Sequence, residues 1–211
     1  MSKQTDPSRA LDGLSEDYLD ACRLGLRAKS KELAARLIEA MPSLDKKILW
    51  TQKYLPDLFK IRSHLIDFQI YNAIVFPALL DGASRNDAEA YYLLGITTES
   101  RSPEEGQGVG IESLSRFDLL RRACALAPEN RLYAHRLLEE LMSLFKYLDH
   151  EWPAGILVDQ ENAIAELEEI NGDILQASEL DDEGIYTERL AEFASRVAIY
   201  TERRIAFEQS R

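Results

Sequence analysis

Apolar residues recur at steps of three and four along nearly the whole chain, as in Tyr18, Leu19, Cys22 and Leu26. This spacing places such residues on one face of an α-helix, which can then pack against other helices. Runs rich in Val, Ile and Thr that alternate with polar residues, which would predict strands, are missing from the sequence. The pattern predicts an all-α protein made of stacked antiparallel helical hairpins, either tetratricopeptide-like or an irregular helical bundle.

The first helix is predicted from Ser15, which two acidic residues follow in the manner of an N-cap and a negative first turn. Its apolar pattern continues to about Met41, where Pro42 ends it because proline has no backbone N–H to donate. Residues 1–14 are polar and lack an apolar core. We therefore expect a flexible N-terminus over 1–14 and a single helical domain over 15–211.

The next part of the chain predicts the centre of the core. A helix over 44–54 precedes Pro56, which is typical of the first turn of a new helix. From 58 to about 80 apolar residues occupy almost every face, as in a helix surrounded by others. We expect that long helix to be kinked near Pro77 and to end at the Asp81-Gly82 turn.

Residues 88–141 resemble a tetratricopeptide repeat. The segment Ala88-Glu89-Ala90-Tyr91-Tyr92-Leu93-Leu94-Gly95 is similar to the first helix of the repeat, and Leu120, Ala123 and Pro128 match later positions. The spacing from Tyr91 to Pro128 exceeds the family's by about nine residues, which fall in a glycine-containing segment over 99–110. The resemblance implies stacked helical hairpins. The Ser102-Pro103 pair and the three glycines of residues 99–110 predict a mobile surface loop.

The last helix, predicted over 183–209, carries apolar residues at steps of four and three, which is the spacing of a coiled-coil seam. The helix that packs against this seam is either internal or belongs to a second subunit, as in a homodimer. The packing face consists of Tyr186, Leu190, Phe193, Val197 and Tyr200.

Composition is that of a folded, acidic protein. The 211 residues are 45% hydrophobic and 29% charged, and the net charge is −12. Such a charge disfavours binding to nucleic acid or to an anionic membrane. The two cysteines, Cys22 and Cys124, lie in apolar helical patterns and predict buried thiols in a reducing compartment, hence a cytoplasmic protein.

The sequence contains no recognisable catalytic motif. Glycines at 106, 108 and 110 lack the spacing of a nucleotide-binding loop. The pairs His64 with Asp67 and His135 with Glu139 share helix faces, yet no Glu-x-x-His motif accompanies them. We therefore expect no catalytic residue, no metal and no cofactor.

Charge is concentrated in residues 159–192, which hold twelve carboxylates against a single base, Arg189. On a predicted helix over 159–178, four polar residues would form a stripe opposite Ile164, Leu167 and Ile174. The stripe and the following turn give six candidate partner-binding residues: Asn162, Glu166, Glu169, Asp173, Asp181 and Asp182.

Three explanations of this acidic segment remain open from the sequence: a solvated surface, a face balanced by the slightly basic N-terminal third, and a binding face for a basic protein. The functional hypothesis is a non-enzymatic protein-binding module that holds a positively charged partner. One form of it is an immunity or antitoxin-type inhibitor of a basic toxin. The alternative is an oligomeric helical adaptor or structural subunit with the last helix as its interface.

Overall fold

The computed structural model describes residues 7–62, 66–97, 111, 114–151 and 163–209 of the chain. The protein is all-α, as predicted, and no strand occurs in these ranges. A π-helical turn at Tyr71–Val75 interrupts the α-helices. The α-helices are α1 (Pro7–Arg23), α2 (Arg27–Ala40), α3 (Leu44–Arg62), α4 (Phe68–Ile70), α5 (Phe76–Ser84), α6 (Ala88–Ile96), α7 (Arg116–Leu126), α8 (Arg131–Glu151), α9 (Ala163–Leu180) and α10 (Thr187–Gln209).

The chain divides into two compact units, Met1–Ala127 and Pro128–Arg211. The sequence had predicted one domain over 15–211 with a mobile loop at 99–110. All of that loop lies outside the described residues, whereas the unit boundary falls at the connection between α7 and α8.

The start of the chain differs from the prediction. Helix α1 begins at Pro7, so that residues 7–14 of the expected flexible segment are helical. Ser15 is not an N-cap; it lies inside α1 and is fully buried, and its hydroxyl donates to the Leu11 carbonyl over 2.8 Å. Trp50 of α3 in turn donates its indole N–H to the Ser15 oxygen over 2.9 Å. The buried hydroxyl of Ser15 thus has both an acceptor and a donor, which satisfies it within the helix.

A turn at Gly25 divides the predicted helix 15–41 in two. Gly25 has a φ of +69°, which a residue with a side chain adopts only at a cost. The amide of Leu26 donates to the Ala21 carbonyl, and that of Gly25 donates to the Cys22 carbonyl. These two bonds form a Schellman motif, which satisfies carbonyls at the end of α1. The helical periodicity continues on both sides, which is why the sequence pattern alone did not locate the break.

The predicted boundary at Pro56 is wrong, because α3 runs through it from Leu44 to Arg62. Pro56 lies on the exposed side of the helix, where solvent can replace the backbone hydrogen bond that proline cannot donate. Leu55 and Leu58 next to it are buried, with 2% and 1% of their surface exposed. Their burial holds the helix in place across the proline.

The predicted helix over 58–80 is likewise interrupted. Asp67 caps the start of α4 by accepting a hydrogen bond from the Gln69 amide over 3.0 Å. The irregularity expected near Pro77 is the π-helical turn over Tyr71–Val75, where the amide of Phe76 donates five residues back to Tyr71. A wider turn accommodates a residue that has no amide to donate and whose ring would crowd the preceding turn.

Helix α5 does not end at Gly82 but continues to Ser84. Gly82 and Gly95 instead permit close packing of helices. A Cβ built on Gly82 would lie 2.8 Å from the Cβ of Ala90 in α6, and one on Gly95 would lie 2.9 Å from Cγ of Leu120 in α7. The absence of a side chain thus brings α5 against α6 and α6 against α7. The tetratricopeptide resemblance, which includes Gly95, stays a prediction.

Candidate acidic binding groove

The carboxylates predicted to form one stripe on α9 differ in their exposure. Asn162 lies outside the described residues, Glu166 is half-buried and Glu169 is exposed. Asp173 is buried, with 9% of its surface exposed, so the expected exposed stripe is not continuous. Its position follows from the buried face of α9, which comprises Leu167, Ile170, Asp173, Ile174 and Ala177. The sequence analysis located the buried face from Ile164, Leu167 and Ile174 alone. It therefore assigned Asp173 to the exposed face of α9, which is wrong.

The outward face of α9 carries Glu168, Leu175 and Glu179, which follow one another at i, i+7 and i+11. All three are exposed, and 68% of the Leu175 surface is accessible to solvent. An exposed leucine between two glutamates gives this face an apolar contact as well as negative charge.

Asp181 has a structural role in the turn between α9 and α10. Its carboxylate accepts hydrogen bonds from the amides of Ile185 and Tyr186, both over 2.8 Å, and from the Thr187 hydroxyl over 3.3 Å. The same turn contains Gly184 with a φ of +69°, and the Gly184 amide donates to the Asp181 carbonyl. Asp181 thus fixes the start of α10 in the way that an N-terminal cap does.

A groove of about 350 Å³ lies between the start of α8, the end of α9 and the turn that follows it, all within the unit Pro128–Arg211. Five carboxylates line it against one arginine, which gives a formal charge of −4 when His135 is neutral. These charged residues are Glu129, Glu179, Asp181, Asp182, Glu183 and Arg131. The groove contains Asp181 and Asp182 of the six predicted residues, whereas Glu166, Glu169 and Asp173 do not line it.

Apolar side chains give the groove a surface on which an alkyl or aromatic group could pack. Leu138 is buried, Tyr186 is half-buried, and Ile185 is 62% exposed. The only cation–carboxylate pair in this groove among the described residues joins Arg131 to Asp182 over 3.5 Å, and both side chains are largely exposed. Exposed pairs of this kind contribute roughly 0 to 1 kcal/mol, so Asp182 can exchange Arg131 for another cation at little cost.

Sequence reasoning missed Glu129, Glu179 and Glu183 as members of this groove. Glu129 is fifty residues away from Glu179 in the chain, and it reaches the groove because α8 begins beside the end of α9. The local sequence gives one usable signal, the apolar Ile185 directly after the polar segment 181–184, and the structure shows that its side chain is exposed.

The predicted packing face of α10 lies inside the unit. Leu190, Phe193 and Val197 are buried, and Tyr186 and Tyr200 are half-buried. Phe193 stacks on Phe145 of α8 with ring centroids 4.7 Å apart. The apolar seam that the periodicity predicted is therefore occupied within the chain by neighbouring helices, which removes most of it from any intermolecular contact.

Among the residues that the structure describes, no three His, Cys, Asp or Glu side chains come together in a manner that could hold a metal ion. His135 and Glu139 lie 3.6 Å apart as an exposed pair on α8, and His64 lies outside the described residues. In the same ranges, no helix is both long enough and apolar enough to cross a bilayer.

Comparisons with family models, with curated proteins and with solved structures found no match to this chain.

Proposed function

We propose that the protein is a non-enzymatic binding module whose acidic groove receives a basic segment of a protein partner. The observation that carries the proposal is the combination of a −4 charge with an apolar floor in one concave site. Lysine and arginine suit such a site, because their alkyl stems pack on apolar groups while their charged ends meet carboxylates.

Four exposed carboxylates, Glu129, Glu179, Asp182 and Glu183, supply the charge that is available to a partner. Asp181 already accepts three hydrogen bonds within the turn and serves to shape the site. Ile185 exposes an apolar side chain within the groove, and Leu175, which is exposed one turn before Glu179 on α9, adds an apolar group outside it. A partner that presents basic residues next to an apolar one would fit this arrangement, and a basic toxin such as a nuclease is one protein of that kind.

The oligomeric alternative receives less support from the packing. It requires the apolar face of α10 to contact a second chain, and Leu190, Phe193 and Val197 of that face are 3%, 3% and 0% exposed.

The test compares two charge-reversed variants that have the same net charge. The groove variant changes Glu179, Asp182 and Glu183 to lysine. The control changes three other exposed carboxylates of the same unit, Glu188, Glu192 and Glu202, to lysine. Each variant is used to capture partners from the native cells, and a captured basic protein is purified and titrated against all three forms by calorimetry.

We expect a basic protein to bind the wild type and the control but to bind the groove variant at least tenfold more weakly. Its affinity for the wild type should fall as sodium chloride is raised from about 50 to 500 mM, because salt screens attraction between exposed charges. Equal binding to the groove variant and the control, or an affinity that does not change with salt, would contradict the proposal.

A further inference from the structure

A second concave site, of opposite charge, lies in the unit Met1–Ala127. Helices α1, α2 and α3 line a cavity of about 630 Å³ that is open to solvent. Cavities of roughly 300 to 1,000 Å³ are the usual size of small-molecule sites in proteins. This cavity is therefore large enough to hold a small organic ligand.

The floor of the cavity is aromatic and apolar. Trp50 is 2% exposed, and the bond from its indole N–H to Ser15 fixes the orientation of its ring. The Tyr54 ring lies 5.6 Å from the Trp50 ring, at an angle of 40°. Leu14 lines the same cavity, and Leu49 borders it with 66% of its surface exposed. A ligand that covered Leu49 would remove an exposed leucine from water, which favours binding.

The rim of the cavity is cationic. Arg36, Lys46 and Lys53 line it against one carboxylate, Asp12, so its formal charge is +2 in a chain whose net charge is −12. The cavity is therefore positively charged, although the chain as a whole is negatively charged.

Asp12 accepts hydrogen bonds from two donors and does not neutralise the charges of Arg36 and Lys46. One of its oxygens, Oδ1, accepts hydrogen bonds from Lys53 Nζ and from the Tyr54 hydroxyl, each over 2.7 Å. The hydrogen bonds from Lys53 and then Tyr54 lower the pKa of Asp12, and the bond to Asp12 raises the pKa of Lys53. Both groups are therefore charged throughout the neutral range. Arg36 and Lys46 make no ion pair with any residue that the structure describes.

We propose that this cavity binds a small anionic amphiphile, a molecule with one carboxylate or similar acidic group and an apolar body. The acidic group faces Arg36 and Lys46, and the apolar body covers Leu49 and Leu14 next to the buried rings of Trp50 and Tyr54. A long polyanion such as nucleic acid is repelled by the −12 charge of the chain, whereas a compact anion responds mainly to cations within a Debye length, about 8 Å at physiological salt. The proposal is independent of the acidic groove, which belongs to the other unit.

The experiment uses the full chain with Trp152→Phe, which leaves Trp50 as its one tryptophan. The fluorescent probe 8-anilinonaphthalene-1-sulfonate, an aromatic monoanion, is titrated and then displaced by decanoate or by decanol. We expect saturable binding of one probe per chain together with quenching of Trp50. Decanoate should displace the probe at a concentration about tenfold lower than decanol, because only decanoate carries the charge.

Variants locate the site. Arg36→Glu with Lys46→Glu should weaken probe binding at least tenfold. The matched control, Lys29→Glu with Lys31→Glu, changes two exposed cations that do not line the cavity and should leave binding within about twofold of the parent. If the glutamate variant fails to fold by circular dichroism, Arg36→Gln with Lys46→Gln replaces it.

The proposal is overturned if the cavity variant binds the probe as tightly as the control, if decanol competes as well as decanoate, or if the probe binds without quenching Trp50.

Discussion

Gly82 offers a direct test of the close packing between α5 and α6. A Cβ at this position would lie 2.8 Å from the Cβ of Ala90, whereas non-bonded carbon atoms prefer about 3.5 to 4.0 Å. Ala90 is 4% exposed, and its Cβ is attached rigidly to the backbone of α6. Gly82→Ala can therefore be accommodated only if the two helices separate locally by about 1 Å.

Two opposing free-energy terms decide the effect of Gly82→Ala. Alanine is favoured over glycine in a helix by about 1 kcal/mol, and overpacking of a core costs about 1 to 3 kcal/mol. The variant should therefore have a free energy of unfolding between roughly equal to that of the parent and 2 kcal/mol lower. The control is Gly13→Ala in α1, where a Cβ would meet no atom within 4 Å. Only the higher helix propensity of alanine then changes the free energy of unfolding. Gly13→Ala should raise the free energy of unfolding by about 1 kcal/mol.

The assay is urea unfolding of both variants in the Trp152→Phe background, followed by the fluorescence of Trp50. Gly13, Gly82 and Trp50 all belong to the unit Met1–Ala127, so one signal reports both changes. The difference between the two variants measures the steric term and should be about 1 to 3 kcal/mol. If Gly82→Ala stabilised the protein as much as Gly13→Ala does, the tight contact with Ala90 would be refuted.

Three other outcomes follow from local geometry. Gly25→Ala should lower the free energy of unfolding by about 1 to 2 kcal/mol, because Gly25 has a φ of +69°; unchanged urea unfolding would contradict the turn between α1 and α2. Ser15→Ala should cost about 1 to 3 kcal/mol in the same assay, since it removes the acceptor of the buried Trp50 indole; a neutral effect would mean that this bond does not form. Burial raises the pKa of the Cys124 thiol, so less thiolate exists at pH 8. Cys124 is only half-buried, although the sequence predicted a buried thiol. In a Cys22→Ser variant, Cys124 should react with Ellman's reagent more slowly than after unfolding in urea, and equal rates would refute its partial burial.

The periodicity of apolar residues predicted the fold class because a helix that buries one face must repeat its apolar residues at steps of three and four. It also identified most of the α10 face, including Phe193 and Val197, which the structure places in the core. Periodicity depends only on the spacing of residues that are near one another in the chain, so it can be recognised in a single sequence without knowledge of the fold.

Breaks in helices were predicted less well, because tertiary packing outweighs local propensity. Burial of Leu55 and Leu58 carries α3 through Pro56. Ser15, which the sequence predicted as a cap, lies inside α1, where its oxygen accepts a hydrogen bond from buried Trp50. The break at Gly25 depends on its positive φ, which the periodicity on either side does not reveal.

The sequence by itself determined that the protein is helical and that its negative charge is concentrated in residues 159–192. Only the tertiary structure decided which carboxylates share a surface. It buries Asp173, engages Asp181 in the turn before α10, and brings Glu129 and Glu179 into the same groove. The physical reason is that charge adds along a sequence, whereas a binding site depends on distances in space, which the packing of α8 against α9 sets.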